Sequence, residues 1–175
     1  MASLYHIVPA SMQGSILYPL NQLRDINPAL YDAQAAKYVG REYIMNKTIP
    51  YFDCLWNDVL FLTAQHPKKL QEALLRAGGP KLSHSFFEID ASSLEPRKSL
   101  IYLFANTTAR QPLTSEDFAP FVASNLEKYN IVPKATEEYF SQQYKQKKRP
   151  LLYYKVPHVL YHGTLDISNA KIITI

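Results

Sequence analysis

The stretch from Trp56 to Ala77 (WNDVLFLTAQHPKKLQEALLRA) limits the folds open to this chain more than any other segment. Val59 to Leu62 are apolar at consecutive positions, which predicts a strand buried on both faces inside a sheet. Pro67 then opens a helix with Leu70, Ala73, Leu74 and Ala77 on one face, and Gly78-Gly79-Pro80 ends it. Polar residues flank the strand at both ends: Asn57 and Asp58 before it, Thr63, Gln65 and His66 after it. A further polar residue interrupts an apolar run near the N-terminus, His6 within Leu4-Tyr5-His6-Ile7-Val8. Polar side chains taken into a core require partners, so these positions predict a pocket.

Around this unit, strands and helices mix without a regular βαβ repeat. Leu4 to Val8 reads as a strand and Ser11 to Leu17 as a short helix opened after Pro9. Asn27-Pro28 starts a helix as N-cap and first-turn proline. Its face is read through Ala29, Ala33, Ala36, Gly40 and Tyr43. Ser85 to Ile89 and Leu100 to Phe104 read as strands joined around Pro96. Thr114 opens a third helix, with Asp117 in a capping-box variant and Phe118, Phe121, Val122, Leu126 and Tyr129 as its buried face. A Tyr-rich helix follows Pro133 and ends near Gln146. The last strands are Leu151 to Leu160, broken at Pro157, and Ala170 to Ile175. The expectation is an α+β fold, one globular domain over residues 1–175, with a mixed or antiparallel central sheet.

Composition narrows the function classes. Hydrophobic residues make up 47% and charged ones 19%, enough for a packed core throughout. The single cysteine, Cys54, excludes a disulfide framework, and its apolar neighbours Phe52 and Leu55 describe an inert thiol. No apolar run reaches bilayer length, and the start MASLYHIV lacks the pattern of a signal peptide, so a cytoplasmic setting without membrane is expected. Phosphate-binding glycine motifs, HExxH and GxSxG are missing from the sequence. His158 and His162 come within four residues of one another, but no third ligand accompanies them, so no metal is expected. The net charge is +4, with Lys145, Lys147, Lys148 and Arg149 as the main cluster. That run fits a solvated helix end complementing the macrodipole, and also a nucleic-acid or protein acceptor.

Tyr5-His6-Ile7, followed by Ile16-Leu17, resembles the opening of small ADP-ribosyltransferase-fold proteins, among them DNA-targeting transferase toxins and RNA 2′-phosphotransferase-like proteins. Val59-Leu60-Phe61-Leu62-Thr63-Ala64 is similar to their next core strand. Val159-Leu160-Tyr161-His162-Gly163 and Ile167 to Ile173 are similar to their C-terminal ending. The resemblance implies an ADP-ribosyltransferase-like fold, NAD as substrate, and a first-strand histidine, here His6, that contacts it. It also implies a late-strand glutamate that orients the ribose, yet no glutamate follows Glu138. Arg24 and Arg41 are the candidates for the arginine expected after the first histidine in phosphotransferase-like members.

The candidate residues follow. His6 would donate to a ribose or phosphate, or else be a core-edge histidine held by backbone. Thr63 would orient a ligand hydroxyl, or cap the next helix. Tyr43 and Tyr51 would stack on a nicotinamide or base, or pack in the core. Glu88 is the substitute catalytic carboxylate, or a strand residue paired at the surface. Two functions stay open: an NAD-dependent ADP-ribosyl transferase acting on an unknown acceptor, and a non-catalytic nucleotide-, nucleic-acid- or protein-binding module that keeps the fold.

Overall fold

The computed structural model describes residues 2–104 and 111–175. Eleven strands are found among them: β1 (Ser3–Ile7), β2 (Ile16–Leu17), β3 (Thr48–Ile49), β4 (Cys54–Leu55), β5 (Leu60–Leu62), β6 (Ser85–Asp90), β7 (Ser99–Tyr102), β8 (Phe118–Pro120), β9 (His158–Tyr161), β10 (Leu165–Asp166) and β11 (Lys171–Thr174). The α-helices are α1 (Leu20–Ile26), α2 (Pro28–Ala35), α3 (Pro67–Arg76) and α4 (Lys134–Lys145). The fold is α+β, and every strand pairing is antiparallel.

Two larger sheets organise the molecule. One has the order β5-β9-β7-β8 and the other β1-β6-β11, while β2-β10 and β3-β4 form short pairs. Among the described residues, a single backbone bridge joins the larger sheets. There the Tyr5 N–H donates to the Thr63 carbonyl at 2.8 Å, and the Thr63 N–H returns the bond to Tyr5 at 3.1 Å. No second bridge follows among the described residues, so past it β1 and β5 are free to part. The main core fills the inner face of both sheets, with Leu4, Leu62, Phe87, Ile89, Ile101 and Val159 buried together.

The helix after β5 forms as the sequence predicts. Pro67 occupies its first turn, and the His66 side chain accepts from the Lys68 N–H at 3.1 Å as its N-cap. Its buried residues Leu70, Ala73 and Leu74 pack with Phe140 of α4 and with Val156. β5 itself is shorter than expected and only half buries Phe61, because its antiparallel neighbour leaves that face to an aromatic cluster.

Other expectations are corrected. Ser11 to Leu17 is not a helix. Gly14 takes φ +74°, and Ile16–Leu17 pair with β10 instead. α2 is capped by Asn27, whose Oδ1 accepts from the Leu30 N–H at 3.1 Å, but it ends at Ala35. Its expected face of Ala29, Ala33, Ala36, Gly40 and Tyr43 is exposed; Leu30 and Tyr38 turn inward because their larger apolar area gains more from burial. The helix read from Thr114 is a single 3-10 turn, Ser115–Asp117, where the Thr114–Asp117 box does form. Phe118–Pro120 then pair with β7, and a 3-10 segment, Ala123–Tyr129, follows. The strand read from Leu151 begins only at His158.

Candidate functional site

A cavity of about 780 Å³ opens where β1 and β5 part. Its size lies within the range of small-molecule sites. Tyr5, His6 and Ile7 of β1 and Leu60, Phe61 and Leu62 of β5 form two of its walls. The outer wall comes from the α1–α2 pair, through Leu20, Leu23, Ile26 and Leu30. Leu23 and Leu30 are the buried residues of these two short helices, so both face the cavity rather than a separate core. Trp56, Tyr38, Phe104 and Tyr153 add aromatic surface.

Asp58 fixes the outer wall to the turn that precedes β5. One carboxylate oxygen accepts from the Leu55 N–H at 2.7 Å, closing the 3-10 turn Trp56–Asp58, and the other accepts from the Asn21 amide of α1 at 2.7 Å. Asn57 in the same turn is 1% exposed and lies on the cavity wall. The Tyr38 hydroxyl donates to its Oδ1 at 2.9 Å, which sets the amide's orientation. Its Nδ2 finds no acceptor among the described residues. A buried donor left in this state is costly, and a ligand acceptor would relieve it.

Two imidazoles share the cavity. His6 Nδ1 and the Ile7 carbonyl are 2.7 Å apart, and His158 Nδ1 and the Val156 carbonyl are also 2.7 Å apart. A carbonyl only accepts, so each Nδ1 carries the proton and each neutral ring keeps an unprotonated Nε2. Burial pushes both pKa values down to about 4 against these carbonyl bonds, and the Lys37 charge acts in the same direction. The positive form of His6 adds to the depression at His158, so the two rings are electrostatically coupled. Both are therefore neutral at physiological pH. Phe61, Phe104 and Tyr153 surround His158 with ring centroids 6.1, 5.6 and 5.6 Å away. Lys37, exposed on the cavity wall, is the only cation in the lining among the described residues.

The residues singled out from sequence divide into two groups. His6 and Thr63 both line the cavity. The Thr63 hydroxyl, however, accepts from the Gln65 N–H at 3.0 Å and donates to the Pro157 carbonyl at 3.4 Å, while the helix cap expected of it is His66. Tyr43, Tyr51 and Glu88 are outside the lining. Tyr51 is 59% exposed with its ring edge-on to Phe118, and Tyr43 sits in an exposed 3-10 turn. Glu88 pairs with Tyr5 across β1 and β6, whereas His6 pairs with Phe87. Alternation along the strand thus places Glu88 on the opposite face from His6. Its carboxylate accepts from the Tyr5 hydroxyl at 3.1 Å. No Asp or Glu lines the cavity among the described residues, and the sequence of 105–110 contains neither.

His158 and Asn57 are the site residues that sequence reasoning missed. Asn57 was visible only as a polar flank of the strand, and His158 only through its spacing from His162. His162 lies outside the cavity, its ring against Phe52. Among the described residues no three His, Cys, Asp or Glu side chains are placed to hold a metal, and no helix is long and apolar enough to cross a membrane. Cys54 is half-buried, and burial raises its thiol to about 11, the nearby Asp58 and Asp53 adding to the effect. The basic residues Lys145, Lys147, Lys148 and Arg149 are exposed at the end of α4.

No protein-family model matches the chain, and no curated protein or solved structure is significantly similar to it.

Proposed function

We propose that this chain is an ADP-ribosyltransferase-like protein that binds NAD or a related nucleotide in the cavity between β1 and β5 without turning it over. The observation that carries the reading is the character of the lining: aromatic and aliphatic walls, neutral His6 on the first strand, the unpartnered Nδ2 of Asn57, and no carboxylate among the described residues. Aromatic walls suit a planar heterocycle, and a few placed polar groups fix its orientation. Loss of nicotinamide from NAD develops positive charge on the ribose, which a carboxylate stabilises in the transition state. A cavity without one supports binding more than cleavage. The exposed basic run at the end of α4 supports a polyanionic partner, a nucleic acid or an acidic protein surface.

One observation favours the transferase alternative. Glu88 is a single hydrogen bond from Tyr5, and Tyr5 also borders the cavity. Calorimetry with NAD, combined with a nicotinamide-release assay on the same sample, separates the two. Saturable binding without release is the expected result. Release that disappears in Glu88→Gln while binding persists would replace the binding reading with the transferase. Neither binding nor release would remove NAD from both.

A further inference from the structure

We propose that His158, His6 and Asn57 form one recognition set for an uncharged ligand group that both donates and accepts hydrogen bonds, a ribose hydroxyl pair or a primary carboxamide, rather than for a phosphate. The proposal rests on the nucleotide reading above and specifies which part of the nucleotide meets the inner wall. The two Nδ1 atoms are committed to the carbonyls of Ile7 and Val156, so in the neutral rings Nε2 is an acceptor, and both residues line the cavity. Such atoms accept from a hydroxyl or an amide N–H. The phosphodiester groups of a dinucleotide bring acceptors alone, and acceptor facing acceptor is repulsive. Asn57 supplies the complement. Its Oδ1 is taken by Tyr38, leaving Nδ2, buried and without an acceptor among the described residues, as the donor of a residue in the cavity lining. Two acceptors and one donor match a diol or a carboxamide, both of which are donor and acceptor at once. Lys37 is left as the group that can meet a phosphate.

The test is calorimetry near neutral pH, with NAD as ligand and nicotinamide, adenosine and pyrophosphate as competitors. The variants are His158→Asn, His158→Gln and Asn57→Asp, each first checked for an unchanged melting profile. Asn at 158 reproduces the Nδ1 donor towards Val156 and lacks the Nε2 acceptor, whereas Gln reaches the Nε2 position. His158→Asn should weaken NAD about tenfold, with most of the loss recovered in His158→Gln. Asn57→Asp keeps the acceptor for Tyr38 and removes the donor, so it should weaken NAD by at least as much. Competition by nicotinamide identifies the carboxamide as the recognised group, and competition by adenosine identifies the diol. Unchanged NAD affinity in His158→Asn and Asn57→Asp, or displacement of NAD by pyrophosphate with no effect of either fragment, would overturn the proposal and leave the nucleotide reading standing. An absence of NAD binding to the wild type would overturn both.

Discussion

His6 and His158 have a consequence for stability that is independent of any ligand. In the unfolded chain an imidazole titrates near 6.5, while in the folded protein both titrate at about 4. Between these values the unfolded state binds more protons, so stability rises with pH. The contribution is complete above about 6.5 and is lost as pH falls towards 4. Lys37 faces both rings and lowers both in the direction already given, so it does not reverse the sign. Melting temperature should therefore climb between pH 4 and 6.5, and the climb should flatten in the His6→Asn, His158→Asn double variant. An equal slope in both proteins would contradict the assignment. Gln65 gives a second residue-scale expectation. It is completely buried, and neither side-chain amide atom has a partner among the described residues. Gln65→Met keeps the approximate shape and removes the unpaired polar atoms, so chemical denaturation should show a gain of about 1–3 kcal/mol. His6 was legible in the sequence because a polar residue interrupted an apolar strand. His158 was not, since its role depends on β9 running beside β5, a long-range pairing that no local pattern encodes.

At the scale of elements, the α3–α4 pair is held by packing. Phe140 is fully buried against Leu70, Leu74 and Val156, and the exposed Arg76–Glu137 contact at 2.6 Å adds little. Phe140→Ala should cost about 3–5 kcal/mol in denaturant titration, whereas Arg76→Ala should change stability by less than about 1 kcal/mol. Gly79, just beyond α3, lies against the Tyr144 ring, and an added Cβ would come 2.5 Å from that ring. Gly79→Ala should consequently displace the end of the Tyr144 ring and lower stability by about 1 kcal/mol or less. α3 was readable because its proline, cap and apolar stripe all agree. The region from Thr114 was misread because its apolar residues allow helical spacing, yet Phe118–Pro120 gain more as the strand beside β7. Pro120 ends that strand, where a missing N–H is tolerated. The α1–α2 pair behaves differently again. Each helix has one buried residue, and both of those line the cavity. Hydrogen exchange should therefore be faster in α1–α2 than in α3 and should slow there when NAD is present.

Across the whole of the described structure, the two larger antiparallel sheets meet at one bridge, with the cavity in the opening beyond it. The α+β class could be read from mixed helical and strand patterns. The single bridge could not, because it depends on how far two strands of different sheets stay in register. That junction brings His6 and Thr63 to the same cavity, and strand alternation takes Glu88 to the other face. A nucleotide site at the junction, with His6 and His158 as its inner polar wall, is the central claim. Its most direct test is a solution NMR titration of NAD that follows the ring Cε1–H resonances of all five histidines. The His6 and His158 signals should shift together and saturate, while those of His66, His84 and His162 stay in place. Stationary His6 and His158 signals, or shifts confined to the other three, would contradict it.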